Sequence, residues 1–394
     1  MLRKIILDNY TTYFGEPTEI DFSATDGYQS LQNDNIGSGG VLKGALFVGE
    51  NASGKTKILE AIRLLVELFS GERKIDFARY GSFYTKSRVF KIKYEFLFRG
   101  TTIKYFIEID NKKIVKEDLI VDDDQILERR NNKAKFSLGE NHDVSEGNLS
   151  NELLFLRRVY FSSRFYGNNI LEDWYDYVAN SIYINCLSRH IMVGSSRNDA
   201  NSRMEEIVLK NFLDKNGPQK INSFFKSIGY KQSIIYNSKT PTSKRHGGYF
   251  ALKDEKFVSF NKEGTDVYIP EWFESSGNRA LLNVLPPVFY AIENNRMLII
   301  NEFSSGLSNE LEEALVKYFY HFSKDSQLFF TSHSTNILNN SIIRPDQIYS
   351  VRFTPDRGSV LARFSDQSPR ESQNTEKMYL NGVFDAVPNY TKNF

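Results

Sequence analysis

Gly49-Glu50-Asn51-Ala52-Ser53-Gly54-Lys55-Thr56 follows the apolar run Ala45-Leu46-Phe47-Val48 and opens a segment whose residues Ile58, Leu59, Ile62, Leu65, Val66 and Phe69 recur at helical spacing until Gly71. The pattern is G-x-x-x-x-G-K-[ST] set between a strand and a helix, the context in which it cradles phosphate. Its glycines let successive backbone N–H groups curl round an anion, and the helix amino terminus adds positive potential. Lys55 reaches toward the outer phosphates and Thr56 offers a hydroxyl to Mg²⁺. Gly49, Asn51, Gly54, Lys55 and Thr56 are the candidate residues of a nucleotide-binding loop.

Hydrolysis needs more than that loop: an acid to support the metal and a group to orient water. Met297-Leu298-Ile299-Ile300-Asn301-Glu302 has the form of the strand that carries them, apolar and ending in a polar pair. Asn301 stands where an aspartate is expected and brings a neutral oxygen of similar shape to the metal side. Glu302 is the candidate to orient or deprotonate the water. Thr331-Ser332-His333 ends the next strand, and His333 is placed to sense the γ-phosphate. Glu274-Ser275-Ser276-Gly277-Asn278-Arg279 precedes a further helix, a second anion-binding arrangement with Ser276 and Gly277 at its turn. Two anion sites in one chain suggest that one copy closes over nucleotide held by another.

The rest of the chain reads outward from these motifs. Ile5-Ile6-Leu7 and Glu19 to Phe22 form a strand pair around Tyr13-Phe14-Gly15, and residues 88–120 alternate as an antiparallel meander. Asp122 to Gly147 reads as polar and irregular, with Asp122-Asp123-Asp124 a solvated loop in preference to a metal site. Glu152 to Asp214 reads as mostly helical, interrupted by a loop at Gly194 to Asn201, with Cys186 a core residue of an apolar helix. Asn237 to Gly248 reads as a boundary loop, and from Gly277 helices and strands alternate as in a parallel-containing sheet. Arg157, Arg158 and Arg164 among Phe155, Tyr160, Phe161, Phe165 and Tyr166 suit either nucleic-acid contact or an amphipathic surface, the latter preferred. Lys86, Arg88, Lys91 and Lys93 suit the wet face of a sheet.

Composition sets the outer bounds. The 394 residues carry 50 Lys+Arg against 49 Asp+Glu, so no bulk field recruits nucleic acid. No apolar stretch approaches the ~20 residues that span a bilayer, and the amino terminus lacks a signal-peptide pattern. The single cysteine excludes an internal disulfide and fits a reducing compartment, so the expected location is cytoplasmic, with no membrane partner.

In their order, the strand ending Leu7-Asp8-Asn9-Tyr10, the phosphate loop, Ser275-Ser276-Gly277, Glu302 and Thr331-Ser332-His333 resemble the ABC ATPase heads of the SMC/RecF/OLD group. Arg344-Pro345-Asp346-Gln347-Ile348-Tyr349 and Glu376 to Phe384, ending in Ala386-Val387-Pro388, look like the compact AAA-type ATPases of bacterial anti-phage systems such as PARIS, Septu and abortive-infection loci. The resemblance implies an α/β fold, an ABC ATPase head with a mixed, parallel-containing sheet, an antiparallel β meander and a helical insertion. Its lobes would be residues 1–150 and 237–394, with the insertion at 151–236. It implies ATP and Mg²⁺ as cofactors, bound between head-to-tail copies by Lys55, Thr56 and Glu302 of one and Ser276 and Gly277 of the other. His333 would be the switch histidine, Phe303 to Ser308 the D-loop, and Asn301 a departure from the pattern. The implied partners are a second copy, a separately encoded nuclease or toxin effector, and a nucleic acid or phage component. A RecF-like repair ATPase and a non-hydrolysing, nucleotide-gated scaffold are the alternatives. Coiled-coil members are excluded by the absence of heptads and of paired cysteines, and a built-in nuclease by the roughly sixty residues left after His333, too few for a domain.

Overall fold

The computed structural model describes residues 1–25, 28–29, 31–70, 75–139, 143–188, 190–193, 204–242, 248–252 and 255–385. Two large sheets organise them. The first is antiparallel and eight-stranded, ordered β2-β1-β4-β5-β6-β7-β8-β9: β1 (Leu2–Asp8), β2 (Thr18–Asp21), β4 (Val89–Phe98), β5 (Thr101–Asp110), β6 (Lys113–Val121), β7 (Asp124–Arg130), β8 (Lys133–Ser137) and β9 (Asp143–Glu146). Period-two patterning builds its inner face. Phe90, Ile92, Tyr94 and Phe96 of β4 are buried and register against Ile109, Ile107, Tyr105 and Ile103 of β5, while Lys91, Lys93 and Glu95 face outward.

The second sheet is seven-stranded and mixed, in the order β11-β10-β17-β18-β3-β19-β20. It comprises β3 (Gly44–Gly49), β10 (Ile182–Asn185), β11 (His190–Val193), β17 (Met297–Asn301), β18 (Gln327–Thr331), β19 (Ile348–Thr354) and β20 (Gly358–Arg363). Strands β10, β17, β18, β3 and β19 pair in parallel, and β11 and β20 close the edges antiparallel. Its central strands are unbroken apolar runs because both faces are covered. Ala45, Phe47, Ile299 and Phe329 point into a core shared with the first sheet and with α2 (Lys55–Ser70), α3 (Phe155–Ser163) and α4 (Asn169–Ala179). Leu46, Val48, Ile300 and Phe330 point into a second core, with α5 (Met204–Asn216), α6 (Gln219–Ser227), α7 (Ser276–Asn294), α8 (Asn309–Phe322) and α9 (Thr375–Leu380). The short α1 (Gln32–Asn35) lies beside α8. Small sheets of β12 (Gln232–Asn237), β15 (Phe257–Lys262) and β16 (Tyr268–Pro270), and of β13 (Lys239–Pro241) and β14 (Tyr249–Ala251), complete the chain.

Three expectations are corrected. Residues 122–147 are not irregular: they carry β7, β8 and β9, and Asp122 and Asp123 form the turn before β7. The alternation was hidden because an inward position of β7 is filled by a charge. Arg129, fully buried, donates to the carbonyls of Asn131, Leu153 and Ser150 and lies 3.6 Å from the buried carboxylate of Glu117. That carboxylate accepts the N–H groups of Phe155 and Leu156 and the hydroxyl of Tyr105, pinning the start of α3 to the meander. Second, residues 151–236 are not wholly helical, since β10 and β11 join the central sheet and β12 another. Third, Cys186 is not in a helix; it follows β10, and its N–H donates to the Asn301 carbonyl at 3.0 Å. The Asn237–Gly248 boundary holds β13, with residues 243–247 outside the described set, as are the Gly194–Asn201 loop and Ala386-Val387-Pro388.

Candidate functional site

The parallel strands deliver their carboxy ends to one edge of the central sheet, where open α/β sheets place ligands. At that edge β3 turns into the loop and α2. Gly49 has φ +138°, and a Cβ there would lie 2.1 Å from the Val351 carbonyl of β19. Gly54 has φ +110°, and its Cβ would lie 2.2 Å from Ser359 Oγ and 2.8 Å from Thr12 Oγ1. Only glycine satisfies both the dihedral and the space. Asn51 is exposed at the loop's tip, beside left-handed Ala52.

The loop is buttressed by groups the sequence did not announce. Tyr13 donates its hydroxyl to the Gly54 carbonyl at 3.1 Å, and Ser359 donates to the Ser53 carbonyl at 2.6 Å. Thr12 and Ser359 hydroxyls are 2.7 Å apart. These residues come from the β1–β2 turn and from β20, far apart in the chain, so no local pattern marks them.

Lys55 Nζ donates to the carbonyls of Gly49 at 2.9 Å and Glu50 at 2.6 Å, leaving one of its three donors for an anion. Burial lowers its pKa, and the carboxylates of Glu302 and Glu50 pull it back up. Ser53 Oγ is buried in the loop with no hydrogen-bond partner. A cradle that no side chain can fill, an unsatisfied hydroxyl and a free ammonium donor at the head of a 16-residue helix fit the phosphates of a nucleotide.

Asn301 ends β17, buried, and its Oδ1 accepts the hydroxyls of Thr56 at 3.0 Å and Thr331 at 3.1 Å. Because Thr56 spends its hydrogen on Asn301, its lone pairs are left for Mg²⁺, while Asn301 Oδ1, already accepting two hydroxyls, supports the metal side by orienting Thr56 where a carboxylate is expected. Glu302 follows at φ +59°, a strained conformation for a side chain with a Cβ, and its N–H donates to Thr331 Oγ1 at 2.8 Å. Its carboxylate meets His333 Nε2 at 2.7 Å, while the His333 N–H donates to Ser304 Oγ at 3.2 Å. Thr56, Asn301, Thr331, Glu302 and His333 thus form one connected polar chain. Asn185 ends β10 in register with Asn301, on a strand hidden in an apolar stretch read as helix.

Ser276 and Gly277 open α7. Ser275, not Ser276, caps α7, its Oγ accepting from Asn278 N at 3.2 Å. A Cβ on Gly277 would lie 3.1 Å from the Gly306 carbonyl, so this turn packs on the Phe303–Ser308 segment of its own chain. There it opens a cleft of about 250 Å³ lined by Cys186, Arg279, Ser305 and Leu307. The arginines weighed for nucleic acid are largely occupied: Arg158 pairs with Glu146, and Arg157 and Arg164 lie over Phe161 and Tyr160, while Lys91, on the wet face of the first sheet, pairs with Asp8. Among the described residues no group of three or more His, Cys, Asp and Glu is poised to hold a metal, and no helix is long and apolar enough to cross a membrane.

A phosphate-type loop, an acidic strand end and a histidine strand end on one mixed sheet, flanked by an antiparallel sheet, define the ABC-type ATPase head, the fold of SMC heads. An Smc head bound to the C-winged helix domain of ScpA superposes over 93% of this chain and 99% of that one, with 12% identity and a TM-score of 0.51. The SMC head domain from Thermotoga maritima covers 92% and 98%, with 15% identity and a TM-score of 0.49. Residues 45–339 match the family described as "AAA domain, putative AbiEii toxin, Type IV TA system", and the chain belongs to that family. No curated protein sequence matches it.

Proposed function

We propose that this chain binds ATP with Mg²⁺, engages a second copy head to tail, hydrolyses the nucleotide, and through that cycle controls a separately encoded effector in antiviral defence. The observation that carries the reading is the hydrogen-bonded chain from Thr56 through Asn301 and Thr331 to Glu302 and His333, which couples the loop to the water-activating end of the sheet. The loop N–H groups and the amino terminus of α2 bind phosphate, and Lys55 turns its remaining donor to the outer oxygens. Thr56, oriented by Asn301, would hold Mg²⁺, which neutralises phosphate charge when bound. Glu302, held by His333, orients and deprotonates water. Ser276 and Gly277, packed on the Phe303–Ser308 segment of their own chain, serve the loop of the partner. The division at residues 150 and 237 belongs to this proposal, with the middle segment lending β10 and β11 to the central sheet. The family description, "putative AbiEii toxin, Type IV TA system", supports a place in a two-component toxin–antitoxin system.

The test is equilibrium binding of a fluorescent ATP analogue together with ATP turnover. Lys55→Ala is expected to lose binding. Glu302→Gln is expected to keep binding and to lose turnover by about a hundredfold or more. Equal binding by the parent and Lys55→Ala refutes the site. Asn301 supports a second reading, a nucleotide-gated scaffold, since its neutral oxygen gives a metal less support than a carboxylate; a parent that binds and dimerises without turnover selects it.

A further inference from the structure

Two patches of exposed aromatic side chains flank the two proposed half-sites. Beside the phosphate loop, residues 81–88 form a loop tied at its base by Asn9, whose amide donates to the carbonyls of Ser87 at 3.1 Å and Val89 at 2.6 Å and accepts the Thr85 hydroxyl at 2.7 Å. Its tip holds Phe83, 86% exposed, and Tyr84, whose ring stacks on Phe14 at 4.9 Å. Phe14 follows Tyr13, the residue that buttresses Gly54. Between Gly81 and Val89 the charges are Lys86 and Arg88, with no acid.

The other patch precedes the serine turn. Trp272 and Phe273, the latter 66% exposed, sit on a single 3₁₀ turn, Glu271–Phe273, with Trp272 packed on Phe257 at 5.0 Å. At the turn the acids are Glu271 and Glu274, against Lys256 beside Phe257. The patches are alike in aromatic character and opposite in charge. Large aromatics held in water by an anchored loop are the usual mark of an interface.

We infer that the Phe83–Tyr84 loop of one copy docks on the Trp272–Phe273 turn of a second copy. The inference rests on the head-to-tail reading above. Phe273 is three residues from Ser276, so any geometry that brings Ser276 to the partner's loop carries Phe273 within about 10 Å of it. Two-fold symmetry makes the contact twice, each basic loop facing an acidic turn. A patch built for an unrelated partner has no need of its own complement on the same chain.

The experiment is the mass of the full chain in solution with ATP and Mg²⁺, by mass photometry and sedimentation. Phe83→Ala with Tyr84→Ala, or Trp272→Ala with Phe273→Ala, is expected to weaken dimerisation at least about tenfold, with the melting temperature and the ATP affinity of the monomer unchanged. One charge-reversed chain carries Lys86→Glu and Arg88→Glu, and another carries Glu271→Lys and Glu274→Lys. Each alone is expected to stay monomeric, and an equimolar mixture to dimerise, since both contacts of the mixed pair are then complementary. If the parent dimerises and the aromatic variants do so equally, or the mixture stays monomeric, the docking is overturned while head-to-tail engagement stands. If the parent binds ATP and remains monomeric at every concentration, the underlying reading falls and the docking with it.

Discussion

Glu312 lies in the first turn of α8, fully buried, and neither carboxyl oxygen makes a hydrogen bond of normal geometry. Burial pushes its pKa from the ordinary 4.5 up to about 7, with the Ser332 hydroxyl pulling it down and Glu313 adding to the rise. A carboxyl whose folded pKa is raised contributes stability that is fully present below its unfolded value and is lost as pH rises through its folded one. The window therefore runs from about 4.5 to about 7. A shift of that size corresponds to about 3 kcal/mol. Glu312→Gln keeps the shape and cannot ionise, so it should match the parent near pH 4, where Glu312 is mostly protonated in both folded and unfolded chains, and exceed it by about 3 kcal/mol near pH 8. Over 394 residues, with about 2 cal/mol/K of unfolding entropy each, that is roughly 4 °C in melting temperature. Urea unfolding of both proteins at the two pH values is the assay, and the change in their difference isolates this group from the other carboxylates. A difference that does not vary with pH, or a variant less stable near pH 8, refutes the reasoning.

Three further outcomes follow from the geometry. Arg129→Met leaves the Glu117 carboxylate buried without its cation and should cost about 3–5 kcal/mol in urea unfolding; a cost below about 1 kcal/mol contradicts the role given to the pair. Gly54→Ala forces a Cβ against Ser359 Oγ at φ +110° and should weaken binding of an ATP analogue about tenfold or more. Adding Ser359→Ala should not restore it, because the dihedral remains unfavourable. Asn301→Asp presents a charged acceptor to the same two hydroxyls. The Mg²⁺ concentration for half-maximal ATP turnover should fall about tenfold, since charged ligands bind hard cations better; an unchanged midpoint removes Asn301 from the metal side.

Local pattern was enough wherever a short stretch carried both the chemistry and its context. The phosphate loop, the strand before it and the helix after it are contiguous, so glycine spacing and a 3.6-residue period reveal them together. The same holds for β17 with Glu302 and β18 with His333, and for the meander up to residue 120, where apolar and polar positions alternate. What escaped were elements whose logic lies in a distant partner. Strand β7 buries an arginine because Glu117, on the neighbouring strand, meets it. Strand β10 is four residues in an apolar stretch, and only its place beside β17 distinguishes strand from helix.

The sequence by itself determined the class of the fold and named the loop, the acidic strand end and the histidine, because those depend on backbone conformation over a few residues. Only the tertiary structure decided that Thr12, Tyr13 and Ser359 hold the loop, that Asn301 binds two hydroxyls at once, and that the Ser276-Gly277 turn packs on the Phe303–Ser308 segment. Each is a contact between residues tens to hundreds of positions apart, set by how strands are ordered in a sheet, and strand order leaves no mark on local spacing.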